Sequence, residues 1–345
     1  MTETKNQQLA YAVAGAVPIR LHANENPYAL PPAIWQEIEQ ELATLELNRY
    51  PDKAMRLFYQ ALAEHTGFPP EMLLAGNGLE EIILLLLVAL GRARQVILPI
   101  PTFFVYNELA TALGLSVVEV PLLAESWQLD LPCILQVAGQ EEGLIIICRP
   151  NNPTGNLFRR QDILRLLTET KLTVVVDEAY YGFCEDTMLP DLANHERLVV
   201  LRTFSKTYGL AGIRLGYLVA QAQVVEAVDR VRPVYNVNAL TLTIGRIALR
   251  RERELLARLP AIIAERERLA TELATIPGVE VYPSAANFLL VKLPAAATPI
   301  WQELREAGIH VRQLGVKQPN LLRISVGQQQ ENEKFLSILR RALAE

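Results

Sequence analysis

Three strand-length runs, Leu144-Ile-Ile-Ile-Cys148, Thr173-Val-Val-Val-Asp177 and Leu198-Val-Val-Leu-Arg202, are apolar at nearly every position, and each stops at or beside a polar residue. A strand with one wet face alternates, whereas a strand without a polar face has to be covered on both sides. Shorter candidates lie at Gln95 to Leu98, Ser116 to Val120 and Gly216 to Val219, with helical patterns at Leu79 to Leu90, Thr102 to Leu113 and Arg159 to Thr168 between them. That alternation specifies an α/β domain with a largely parallel sheet. Ligands of such folds collect at the carboxyl ends of the strands, so the residues that end the runs are the first candidates for chemistry.

From Ala220 to Ile276 the chain turns helical and highly charged, with Pro260 a break or kink, and reads as a bridge to a second unit. That unit reads as strand (Val279 to Leu293), helix (Pro299 to Ala307), strand (Leu321 to Val326) and helix (Glu331 to Ala344). The expected division is an N-terminal arm and helix over 1–45, packing with the small domain and covering the site, a large domain over 46–240 and a small α+β domain over 241–345.

Several classes are excluded early. The net charge of −5 offers no basic footprint for nucleic acid. The longest apolar run, Ile82 to Leu90, is nine residues, against the roughly 20 that span a bilayer. Residues 1–17 lack the layout of a signal peptide, and Cys133, Cys148 and Cys184 show no disulfide or zinc spacing, so a reducing cytoplasm is expected. His22, His65, His195 and His310 are scattered, and no metal site is expected.

Four elements stand at strand-to-helix junctions: Gly76-Asn-Gly78 before Leu79, Asn151-Asn-Pro-Thr-Gly155, Asp177-Glu-Ala-Tyr180, and Thr203-Phe-Ser-Lys206 followed by Gly209, Gly212 and Arg214. Singly they read as a helix start, a turn, a structural aspartate and a surface lysine. The Asp177-Glu178 pair also suits an ATPase, but the required G-x-x-x-x-G-K-[ST] is missing. Together they meet the needs of pyridoxal phosphate (PLP): a lysine for the Schiff base, a carboxylate for the pyridine nitrogen, donors at the phenolic oxygen and an anion cradle.

These motifs resemble the fold-type I PLP-dependent aminotransferases, most closely the histidinol-phosphate aminotransferase branch, over nearly the whole chain. The resemblance implies a mostly parallel seven-stranded sheet between helices plus a smaller α+β domain. It makes Lys206 the catalytic lysine, and places Thr203, Ser205, Arg214 and the amides of Gly78, Leu79 and Glu80 at the cofactor phosphate. It pairs Asp177 with the pyridine nitrogen, sets Asn152 and Tyr180 at the phenolic oxygen and stacks Phe103 on the ring. Asn24, Asn26 and Tyr28 belong to a covering arm, Arg323 binds the substrate anion, and Tyr50 reaches the phosphate of a neighbouring subunit, which implies a homodimer with shared sites.

The implied reaction is ping-pong amino transfer from histidinol phosphate to 2-oxoglutarate, in histidine biosynthesis. Two departures from the branch bear on the substrate: Arg149 brings a charge near the site, and Leu79-Glu80-Glu81 replaces a Ser-Asp-Glu start. An aromatic amino-acid aminotransferase and a threonine-phosphate decarboxylase remain alternatives, because Arg323 suits a phosphate or a carboxylate equally. A non-enzymatic binding module would have lost Lys206 or gained a further domain.

Overall fold

The computed structural model describes residues 18–91, 95–139, 141–315 and 318–344. The strands are β1 (Ile19–Leu21), β2 (Leu73–Gly76), β3 (Gln95–Ile100), β4 (Ser116–Pro121), β5 (Glu142–Cys148), β6 (Lys171–Asp177), β7 (Leu198–Thr203), β8 (Gly216–Ala220), β9 (Glu280–Val281), β10 (Phe288–Lys292), β11 (Ile309–Gln313) and β12 (Leu321–Ser325). Seven of them form one sheet in the order β2-β8-β7-β6-β5-β3-β4, parallel from β7 through to β4, with β8 antiparallel to both its neighbours.

The unbroken apolar runs explain why this sheet is central. Ile145, Ile147, Val174, Val176 and Val200 point into one core, and Leu144, Ile146, Val175, Val199 and Leu201 into another on the opposite face. Fully burying each such side chain is worth about 1.5–3 kcal/mol. The register then aligns the strand ends: Cys148 lies level with Asp177, and Thr203, Gly216 and Gly76 form one row. The junctions singled out in the sequence therefore converge on one edge.

The second sheet has five strands in the order β1-β11-β12-β10-β9. Its alternating strands bury Leu21, Leu289, Val291, Val311, Leu322 and Ile324 against the helices Leu259–Ala274, Ala297–Glu306 and Gln329–Ala344. The opposite residues, among them Arg20, His310, Arg312, Arg323 and Ser325, face the other way, and Phe288 of that face packs into the large sheet's core.

Three expectations are corrected here. The helix Pro32–Leu42 buries Ile34 and Ile38 in the core of the large sheet with Phe58 and Ile247, not in the small domain; only β1 of the N-terminal segment joins the small sheet. That core runs on past residue 240 through Ile247, Leu249 and Leu255. The run Val279 to Leu293 is a hairpin of β9 and β10, interrupted at Pro283, a residue that cannot donate to a ladder. Pro260 sits in the first turn of the helix Leu259–Ala274, where its missing N–H costs nothing. The part of the arm expected over residues 1–17 lies outside the described residues. Among those described, no helix is long and apolar enough to cross a membrane and no cluster suits a metal ion.

Candidate active site

Lys206 follows β7 and reaches across the cleft, where its Nζ donates to the carbonyl of Ala23 at 2.8 Å. Burial, helped by the positive Arg323 and Arg214 and opposed by Glu25 and Asp177, pulls its amine down to about 8. About a tenth of it is then neutral at pH 7.

Asp177 closes β6 and is 3% exposed. Its Oδ1 accepts from the amide of Ala179 at 2.9 Å and its Oδ2 from the Tyr106 hydroxyl at 2.6 Å. Burial pushes the carboxyl up to about 6, against the pull of those donors and of Lys206. Tyr106 went unnoticed in the sequence, where it reads as an apolar helix position; Phe103, one turn earlier, packs edge-on against it at 5.5 Å.

Asn152 and Tyr180, expected side by side, are both buried and both tied to the small sheet. Arg323 Nη1 donates to Asn152 Oδ1 at 2.6 Å, and Arg323 Nη2 to the carbonyl of His22. The Tyr180 hydroxyl accepts from Asn24 Nδ2 at 2.9 Å, and burial holds it well above its ordinary value. Asn24 takes the left-handed conformation at φ 52°, which asparagine tolerates, and there its amide donates to Ser325 Oγ at 2.8 Å. Asn26 Oδ1 caps the Tyr28 amide at 3.0 Å, and Arg258 lies 4.8 Å over the Tyr28 ring. The arm is thus pinned over Lys206 by side chains that the sequence already singled out.

The residues expected at a phosphate lie near one another at the strand ends. Gly78 is at φ +83°, and a Cβ there would fall 2.9 Å from Arg214 Nη2, so only glycine admits the guanidinium this closely. Leu79 and Glu80 open the helix Leu79–Leu90, and Glu81 reaches back to the Asn77 amide at 2.6 Å. Thr203 Oγ1 lies 3.1 Å from Ser205 Oγ, while Arg214 is half-exposed with Glu80 at 4.0 Å. The Gly78 amide donates to the Gly76 carbonyl at 2.8 Å, which leaves the Leu79 and Glu80 amides at the helix start, two hydroxyls and a guanidinium to suit a phosphate monoester.

The far side of the cleft holds more cation than expected. Arg323 is buried, has no carboxylate partner among the described residues, and its Nε is left unpartnered. Burial, with Arg312 adding, lowers it to about 10. Arg312 stands opposite Arg323 in the β11–β12 register, with its guanidinium over the Phe104 ring, 5.7 Å away, and no carboxylate partner among the described residues. Burial lowers its ordinary value too.

Two of the residues singled out stand apart from Lys206: Tyr50, expected to serve a neighbouring subunit, and Arg149. Tyr50 is 81% exposed and stacks on Tyr235 at 4.6 Å, outside the site within a single chain. Arg149 does not charge the site: its Nε donates to the carbonyl of Phe158 at 2.9 Å and its Nη2 to Asp186 at 2.6 Å, so its charge is neutralised away from Lys206.

The family model for aminotransferase class I and II matches residues 16–339. A histidinol-phosphate aminotransferase from Desulfitobacterium hafniense is 38% identical, with 93% of this chain and 91% of that protein covered. One from Pyrococcus furiosus is 37% identical, covering 97% and 95%. Among solved structures, the histidinol-phosphate aminotransferase from Sinorhizobium meliloti in complex with pyridoxal-5'-phosphate superimposes with a TM-score of 0.86 at 25% identity, over 95% of this chain and 91% of that one.

Proposed function

Since this chain belongs to the class I and II aminotransferases, we propose that it uses PLP to move the amino group of histidinol phosphate to 2-oxoglutarate. The observation that carries the substrate reading is the pair Arg323 and Arg312, two partly or fully buried cations without a carboxylate among the described residues. A buried unpaired charge is costly, and an anionic substrate removes that cost when it binds. The near full-length relatives that carry the histidinol-phosphate name favour a phosphate over a carboxylate as that anion.

The residues fit the cofactor. Lys206 would hold it through Nζ, Asp177 would keep a proton on its ring nitrogen, and Asn152 and Tyr180 would hydrogen-bond its phenolic oxygen. Its phosphate would lie on the amides of Leu79 and Glu80, on Thr203 and Ser205, and on Arg214. When bound, the cofactor supplies a carbonyl that condenses with amines and a ring that takes up electrons as the substrate α-hydrogen leaves. Lys206, its amine lowered to about 8 by burial, would take up the substrate α-proton at Nζ and give it up again within the same half of the amino transfer. Asn24 and Asn26 hold the arm over the cleft and exclude water while Arg323 orients the substrate.

The reading includes a homodimer in which the exposed Tyr50 meets the phosphate cradle of a second copy, and a cytoplasmic location in keeping with three free cysteines.

The test is an absorbance spectrum of the purified protein with PLP, before and after L-histidinol phosphate, in wild type and Lys206→Ala. The lysine-linked band should give way to that of the aminated cofactor and return with 2-oxoglutarate, and the band should be absent from the variant. A band that histidinol phosphate leaves unchanged overturns the substrate and turns the search to aromatic amino acids and threonine phosphate. No band at all overturns the cofactor roles.

A further inference from the structure

We propose that Tyr106 is a positioning residue for this reaction: its hydroxyl, on Asp177 Oδ2, keeps that carboxylate ionised and aimed at the cofactor ring nitrogen. The inference rests on the reading above and deepens it. Asp177 has to carry a negative charge to hold a protonated ring nitrogen, yet it sits in an apolar core with Leu98, Ile146 and Val175 around the strand end. No arginine or lysine forms an ion pair with it among the described residues. Burial alone favours the neutral acid. What opposes this is two fixed donors, the Tyr106 hydroxyl on Oδ2 and the Ala179 amide on Oδ1, with the Lys206 charge adding to them and the Glu178 charge acting the other way.

The O···O distance of 2.6 Å falls in the range of a hydrogen bond to an ionised acceptor. Tyr106 is fully buried in the first turn of the helix Val105–Ala112, and burial with the Asp177 charge beside it holds its hydroxyl far above the ordinary tyrosine value. It therefore donates at every working pH. Cys148, level with Asp177 in the neighbouring strand, directs its thiol to the Pro150 carbonyl at 3.2 Å, and its sulfur also lies within hydrogen-bond reach of the Tyr106 hydroxyl. Because Phe103 packs on the Tyr106 ring, a single helix start supplies both the ring expected over the cofactor and the hydroxyl behind Asp177.

The test begins with cofactor-free protein. Carboxyl bands in infrared difference spectra, assigned with Asp177→Asn, give the Asp177 titration in wild type and Tyr106→Phe. The wild-type midpoint is expected near pH 6; in the variant it should rise by about one pH unit or more, since one charge-assisted donor is lost. With ¹⁵N-labelled PLP bound, the ring-nitrogen resonance should report loss of protonation at neutral pH, and kcat should fall more than KM changes. A residue that only fills space predicts a changed melting temperature with an unmoved Asp177 midpoint, and that result overturns the proposal. If Tyr106→Phe does not fold, 3-fluorotyrosine at position 106 donates more strongly and should lower the midpoint; an unmoved midpoint again overturns it. The cofactor-free titration decides the matter even where PLP fails to bind, so the two readings fail separately.

Discussion

At the carboxyl edge of the seven-stranded sheet, the polar side chains expected to hold the cofactor core find partners in their own chain. Asp177 has Tyr106 and Ala179, Tyr180 has Asn24, Asn152 has Arg323, and Lys206 has the Ala23 carbonyl. Across the cleft, the outer face of the five-stranded sheet carries Arg20, His310, Arg312 and Arg323, with His22 at the end of β1. There Arg323 Nε and His22 Nδ1 are buried without any partner among the described residues. The two sheets meet where Arg323 reaches Asn152, but the groups expected around the cofactor ring are paired within the chain, whereas the other face keeps buried nitrogens unpaired. The first geometry suits a resident group that must be held in one pose. The second suits an anion that comes and goes, because the cost of unpaired cations is relieved only while it is bound.

Lys206 is where this contrast is easiest to break. Lys206→Met should lower amino transfer by at least about 10³-fold, as loss of both the cofactor link and the proton carrier requires. The same change should stabilise the cofactor-free chain at pH 7. The folded amine titrates near 8, below its ordinary 10.5, so the folded state binds fewer protons between those values and stability rises with pH across that window. Below it the burial cost stands in full, about 1–3 kcal/mol. Urea unfolding at pH 7 and pH 10 checks this: the wild type should approach the variant at the higher pH, and a constant gap would count against a strained amine.

Arg323→Gln comes next, with kcat/KM for histidinol phosphate down about 10²-fold, since truncating a buried hydrogen-bonded cation costs about 2–5 kcal/mol. Arg312→Gln should cost about tenfold, because its guanidinium is less buried and is held by one aromatic ring rather than two oxygen acceptors. Comparing the phosphate substrate with the uncharged L-histidinol sharpens the claim. The arginine variants should lose discrimination between the two, and an equal loss for both compounds would move the anion away from this face.

The strand-end edge was also the more legible one. Unbroken apolar runs announced β5, β6 and β7 and drew attention to Asn152, Asp177 and Lys206 beyond their ends, but the roles given to those residues come from the four junctions taken together and from the resemblance they carry. The donor-rich face was nearly invisible. Its strand β11 reads Ile-His-Val-Arg-Gln, two apolar residues among polar ones, and it goes unassigned between the helix ending at Ala307 and the strand starting at Leu321, together with Arg312. Tyr106 was hidden for another reason: its partner Asp177 lies 71 positions away, and no local pattern distinguishes a tyrosine that serves a carboxylate from one that fills a core. The amphipathic stripe of the helix Pro32–Leu42 showed that Ile34 and Ile38 are buried but not against which sheet, since a stripe carries no address.

The smallest expected effect belongs to His22, whose ring meets His310 at 5.7 Å and whose charged neighbours from β1, β11 and β12 are His310, Arg323, Arg20 and Arg312; Glu25, three residues on, is paired with Arg20 at 3.5 Å. Burial, with His310 and then the arginines adding, pulls this imidazole down from 6.5 to about 4. The folded state therefore binds fewer protons than the unfolded chain between those values, and stability is lost as the pH falls through that window. An anion between the two arginines opposes their field at the ring and lets it take up a proton. Sulfate, which stays a dianion there, should bind a few-fold more tightly at pH 5 than at pH 6.5, with proton uptake measurable by calorimetry in buffers of different ionisation heat. In His22→Gln that slope should flatten. A slope as steep as in wild type would assign the uptake to another group and leave His22 outside the unsatisfied face, which would then consist of the arginines alone.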